Sequence, residues 1–142
     1  MRAEDIRLRD PFILPYEGKY YLFGTAGHGF NVWTSTDLTE FEGPFPAFRP
    51  AEGFWGTTDF WAPEVHFYKG AFYMFASFIG EGYNRGTAIL RSEKPEGPYL
   101  PWSDGAVTPK EWMCLDGTLV IENGRPYMVF SHEWVQVGDG EM

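Results

Sequence analysis

The sequence predicts an all-β fold laid out as a repeat array of the β-propeller kind, on three observations. First, one pattern occurs three times. Arg9-Asp10-Pro11-Phe12-Ile13-Leu14 is followed by Gly18-Lys19-Tyr20-Tyr21-Leu22-Phe23-Gly24-Thr25. Trp61-Ala62-Pro63-Glu64-Val65 is followed by Gly70-Ala71-Phe72-Tyr73-Met74-Phe75-Ala76-Ser77, and Leu115-Asp116-Gly117-Thr118-Leu119-Val120 by Gly124-Arg125-Pro126-Tyr127-Met128-Val129-Phe130-Ser131. The acidic residues at 10, 64 and 116 stand 54 and 52 positions apart, a period typical of propeller blades and related arrays. Second, the apolar residues come in short runs or alternate with period two, and almost no segment has helical spacing. Third, the 142 residues include 17 Gly and 11 Pro and are 19% aromatic, a globular β composition rather than a disordered one.

The elements follow in order. Phe12 to Leu14 reads as a short strand, Tyr16-Glu17-Gly18-Lys19 as a turn, and Tyr20 to Thr25 as the return strand. Asn31 to Ser35 is a third strand, followed by the Asp37-Leu38 turn and Phe41-Glu42-Gly43-Pro44. The second unit repeats the order: strand Val65 to Tyr68, turn Lys69-Gly70, strand Phe72 to Phe78, loop Ile79 to Arg85, strand Thr87 to Ser92, then Glu96-Gly97-Pro98-Tyr99. The third gives Thr118 to Ile121, the turn Glu122-Asn123-Gly124, and Arg125 to Ser131; Asn-Gly is a strong hairpin signal.

Residues 1–142 thus form one domain of about two and a half units, near 10–45, 61–102 and 112–142. A propeller needs at least about four blades to close, and an open stack exposes strand edges. The expectation is that a second chain completes a five-bladed ring as a homodimer. A different oligomer, or a fragment of a longer protein, stays open at this point.

Composition removes several function classes. A net charge of -9 argues against nucleic acid, whose phosphates need clustered Lys and Arg. There is no apolar run long enough to span a membrane and no N-terminal signal pattern, so the default expectation is a cytoplasmic protein. The single cysteine, Cys114, reads as a buried inert thiol. His28, His66 and His132 fit no zinc spacing, so no metal is expected from them. There is neither a G-x-S-x-G elbow nor a Gly-rich phosphate loop.

The motifs resemble glycoside hydrolase family 43. Asp10 and its hairpin resemble that family's opening blade, and Thr34-Ser35-Thr36-Asp37-Leu38 its S-x-D-L turn. Trp61-Ala62-Pro63-Glu64-Val65-His66 resembles its second-blade signature and Leu115-Asp116-Gly117-Thr118-Leu119 the third. The resemblance runs from about Asp10 to about Trp134. It implies a five-bladed propeller of inverting glycosidases acting on α-L-arabinofuranosides and β-D-xylosides of plant cell walls, hence an oligosaccharide substrate. It puts Asp10 on the general base and Asp116 on the aspartate that tunes and orients the acid. The acid itself is implied to be a Glu in a Glu-Gly-Pro motif of a fourth blade. Glu42-Gly43-Pro44 and Glu96-Gly97-Pro98 sit at another register and read as blade-end turns. The family often carries an axial calcium tied to a later blade; nothing in this chain supports one, and no other cofactor is required.

Inverting hydrolysis needs one ionised carboxylate to activate water and one protonated carboxyl to donate to the leaving oxygen. Three carboxylates delivered to a common axis suit that task, and their mutual repulsion raises a pKa. Asp10, Asp116 and Glu64 are therefore the catalytic candidates, with Glu64 and Glu133 as candidate replacement acids. Arg9 is placed to pair with a carboxylate. Phe60, Trp61 and Trp134 are expected to offer rings to sugar C–H faces, with His66 and Glu133 lining the same pocket. The alternative is a non-catalytic carbohydrate-binding half-propeller without an acid.

Overall fold

Three hairpins organise the chain, and each closes on the same turn chemistry. A computed structural model describes residues 1–137. The strands are β1 (Phe12–Tyr16), β2 (Lys19–Thr25), β3 (Phe30–Ser35), β4 (Glu42–Phe48), β5 (Thr58–Tyr68), β6 (Ala71–Ile79), β7 (Gly86–Ser92), β8 (Leu100–Pro101), β9 (Cys114–Glu122) and β10 (Arg125–His132). Between β1 and β2, β5 and β6, and β9 and β10 lie Glu17-Gly18, Lys69-Gly70 and Asn123-Gly124. Their φ values are 47° and 75°, 46° and 81°, and 50° and 76°. Two successive left-handed residues make the two-residue turn whose twist matches antiparallel strands, and glycine at the second position removes the steric penalty there.

Strands β1-β2-β3-β4 form one four-stranded antiparallel sheet and β5-β6-β7-β8 a second; β9 and β10 pair as the third unit. The all-β expectation and the unit order hold. Several boundaries differ. β5 runs 11 residues and starts at Thr58, so the Trp61-Ala62-Pro63-Glu64 motif lies inside the strand, with register shifts on both sides of Trp61. β9 starts at Cys114 and contains Asp116. Glu42-Gly43-Pro44 is no turn; it begins β4, because Thr34 pairs with Glu42 across an irregular register. Glu96 remains in a turn before Tyr99. The last five residues of the third unit, 138–142, lie outside the described residues.

The core lies between the first two sheets. Phe23, Phe30, Val32 and Phe48 of the first meet Phe60, Val65, Met74, Phe78 and Leu90 of the second. Phe60 stands edge-on to Phe78 at 5.1 Å between centroids, and Phe48 edge-on to Phe54 at 5.3 Å. Edge-to-face rings gain about 0.5–1.5 kcal/mol beyond area burial. A smaller cluster of Leu22, Trp33 and Phe41 is covered by Ile6 and Leu8 from the N-terminal segment. The turn after β3 is tied by its own side chains. Asp37 Oδ1 accepts from the Thr39 and Glu40 amides at 2.8 and 3.0 Å, and Ser35 Oγ from Leu38 at 2.9 Å. Those amide bonds hold the Asp37 carboxyl well below its usual range, which gives the S-x-D-L signature a structural reason.

Gly117 sets how close the third unit comes to the second. A Cβ there would lie 2.6 Å from Thr87 Cγ2 and 3.0 Å from Met128 Sδ. Only glycine lets β9 press against β7 at that point, one residue after Asp116.

Candidate active site

The first strand of each hairpin carries, within it or just before it, a residue with left-handed backbone. These are Asp10 at φ 49°, Ala62 at φ 47° and Asp116 at φ 55°. Each stands eight positions before its turn glycine: 10 to 18, 62 to 70, 116 to 124. The in-register residue of the second unit is therefore Ala62. Glu64 is six before Gly70, level with Phe12 and Thr118, so the expectation of three carboxylates at one register is corrected to two plus a displaced third. Aspartate tolerates this backbone better than most residues because its short polar side chain bonds locally.

Asp116 shows that the carboxylates gather. Its carboxyl is raised above the usual value, first by burial and then by the charges of Asp10, Glu64 and Glu133. Four acidic groups from three units thus share one electrostatic neighbourhood. The Asp116 amide donates to Ser77 Oγ at 3.3 Å, which anchors the strand start to β6.

Glu64 spans the seam between β5 and β9. Its Oε1 lies 2.6 Å from His66 Nε2 and also accepts from the Thr118 hydroxyl. His66 stands perpendicular to Phe75 at 5.6 Å. Both stay partly exposed, as expected for residues lining an opening.

The sequence missed the main cation. Arg85, 10% exposed, donates through Nη1 to Glu133 Oε1 at 2.5 Å and through Nη2 to Asp59 Oδ2 at 2.8 Å. Its guanidinium carbon lies 4.2 Å from the centroid of the Trp61 ring. Arg85 Nε and Glu133 Oε2 are buried without a partner among the described residues. Arg9, expected to pair with a carboxylate, is exposed and makes no ion pair among the described residues; Arg85 does the pairing instead. A buried arginine inside a Gly-flanked loop has no periodic signal. The one hint was a single Arg between Gly80 and Gly86 in a chain otherwise rich in acid.

The aromatic candidates divide. Phe60 is 3% exposed and belongs to the inter-sheet core, so its expected place in a sugar pocket is corrected. Trp61 is exposed, stacked under Arg85 and next to the carboxylates. Trp134 is 81% exposed on the turn after β10. Cys114 is buried, and burial pushes its thiol up, in keeping with an inert role. Among the described residues no group of three or more His, Cys, Asp or Glu is arranged to hold a metal ion.

Comparison with known proteins agrees with this frame. The chain is 25% identical over 93% of its length to the extracellular exo-alpha-(1->5)-L-arabinofuranosidase ArbA of Cellvibrio japonicus, covering 42% of that protein. It is 29% identical over 87% of its length to a probable arabinan endo-1,5-alpha-L-arabinosidase C of Aspergillus clavatus, covering 36% of it. Among solved structures, an endo-arabinase from Bacteroides thetaiotaomicron superposes with a TM-score of 0.91 and 41% identity over 95% of this chain and 49% of that one. The chain therefore spans half or less of the length of these relatives. The pattern of Glycosyl hydrolases family 43 matches residues 5–142, and the chain belongs to that family.

Proposed function

We propose that this chain supplies the base side of an inverting glycoside hydrolase acting on α-L-arabinofuranosyl linkages of plant cell-wall polysaccharide, with β-D-xylosides as the second substrate class. Glu64 of β5 accepts from Thr118, two residues after Asp116 on β9; that contact, with the charges of Asp10, Glu64 and Glu133 bearing on the Asp116 carboxyl, carries the reading. Asp10 is the general base that draws a proton from water. Asp116 orients and tunes the acid. The family relatives named for arabinan favour arabinofuranosides over xylosides.

Neither Glu64 nor Glu133 is free to act as the acid. Glu64 is taken by His66 and Thr118, and Glu133 by Arg85. The acid is a carboxylate brought by the second chain that completes the ring, in place of the fourth-blade Glu that the family implies, about 6.5–9.5 Å from the base so that water fits between them. Trp61 offers its ring to a sugar face, and His66 lines the approach.

Hydrolysis of α-1,5-linked arabino-oligosaccharides by purified protein tests this reading. Asp10→Asn is expected to lower kcat by about 10²–10⁴-fold with folding intact. Unchanged turnover in that variant sinks the base assignment. Sugar binding with no turnover by either protein supports the non-catalytic reading instead.

We further propose that the ring closes through a second copy. Val120, Ile121, Tyr127 and Val129 are exposed on β9 and β10, and β10 pairs with β9 alone among the described residues. Apolar side chains beside an open strand edge favour association. A light-scattering mass of two chains supports the homodimer; a monomer mass contradicts it.

A further inference from the structure

We propose that Arg85 is a positioning residue for the carboxylate group. It locks Asp59 at the start of β5 and Glu133 after β10 into one assembly, and so fixes the charge that Asp116 faces.

The geometry is specific to arginine. One guanidinium bonds two carboxylates, at 2.8 Å on Asp59 and 2.5 Å on Glu133, while its flat face lies 4.2 Å from the Trp61 ring centroid. A lysine ammonium is a point charge and has no planar fork to hold two acceptors while a ring covers its face. Its two partners belong to different units, 26 and 48 residues away in sequence. The Arg85 carbonyl also accepts from the Cys114 amide at 2.8 Å, and the Glu133 amide donates to Met113 O at 2.8 Å. Arg85 and the turn carrying Glu133 are thus both tied to the chain at the start of β9, two to three residues before Asp116.

The charges facing Asp116 are Asp10 before β1, Glu64 on β5 with His66 hydrogen-bonded to it, and Glu133 after β10. Arg85 is bonded to one of these directly. Without it, Glu133 and Asp59 lose their only ion-pair partner among the described residues. The Glu133 charge then bears unscreened on Asp116.

The inference rests on the hydrolase reading only for its effect on turnover. The test does not need turnover. Side-chain carboxyl ¹³C NMR titrations are run on wild type, R85Q, R85K and R85Q/E133Q, with the Asp116 signal identified by its loss in D116N. Asp116 is expected to titrate higher in R85Q by about half a pH unit, less so in R85K. In R85Q/E133Q it returns toward the wild-type midpoint. An unchanged near-ultraviolet circular dichroism spectrum reports an intact fold. An Asp116 midpoint in R85Q equal to wild type overturns the proposal. So does a double variant that titrates as high as R85Q, because the effect then bypasses Glu133. If R85Q does not fold, R85K decides: Asp116 must titrate higher than in wild type, because lysine cannot hold both carboxylates, and an unchanged midpoint overturns the proposal. Absence of arabinan hydrolysis in wild type removes the hydrolase reading, and the role of Arg85 is then decided by these midpoints alone.

Discussion

Gly117→Ala adds one methyl group where the structure has room for none. The new Cβ would lie 2.6 Å from Thr87 Cγ2, 3.0 Å from Met128 Sδ and 3.1 Å from Thr87 Oγ1. Carbon atoms rest at about 3.5–4.0 Å, so roughly 1 Å must be recovered. Met128 yields cheaply, since a thioether is flexible. Thr87 does not: it is fully buried in β7 and its β-branched side chain has few rotamers. Overpacking of this kind costs about 1–3 kcal/mol, less a few tenths recovered from the stiffer unfolded chain. With a net loss of about 2 kcal/mol and a urea slope of about 2 kcal/mol per molar, the midpoint falls by about 1 M. The control is Gly124→Ala, where the space is open but φ is +76°. That variant loses about 1 kcal/mol through backbone strain alone, and Gly124→Asn loses less. A Gly117→Ala protein with the wild-type midpoint refutes the claim that β9 is pressed against β7, and with it the account of how Asp116 is held.

Asp116→Asn is expected to stabilise the protein at neutral pH. The folded Asp116 carboxyl lies above its unfolded value. Its contribution is therefore fully present below the unfolded value and is lost as pH rises through the folded one. Thermal melts from pH 3 to 8 check this: the variant's advantage at pH 7 closes below about pH 4, and a variant less stable at pH 7 contradicts the sign. Phe60→Ala empties the centre of the inter-sheet core and should cost about 3–5 kcal/mol in urea unfolding; a near-neutral result returns Phe60 to the surface pocket. Trp61→Ala removes the ring under Arg85 and is expected to weaken arabino-oligosaccharide binding in calorimetry severalfold; unchanged affinity removes Trp61 from the sugar site.

The parts of this fold legible in the sequence were those set by local chemistry. Three Gly-containing turns and period-two strands located the hairpins, because left-handed turn residues and strand alternation are local properties. Asp10 and Asp116 stood out through the repeated pattern, and their expected roles came from the family resemblance. Glu64 was misplaced because β5 is irregular. Register shifts around Trp61 break the simple count, and the residue in line with the two aspartates is Ala62. The same irregularity hid the face on which Phe60 lies. Arg85 was out of reach because its partners are dispersed along the chain and its burial is tertiary. Arg9 looked like the cation only because it neighbours Asp10 in sequence.

The stereochemistry of the first product tests the central claim most directly. Proton NMR recorded in the first minutes of arabino-oligosaccharide hydrolysis reads the anomer released before it equilibrates. Water activated by Asp10 on the face opposite the leaving group releases the β-anomer from an α-linked substrate. Early appearance of the α-anomer, or release of the β-anomer undiminished in Asp10→Asn, contradicts the account.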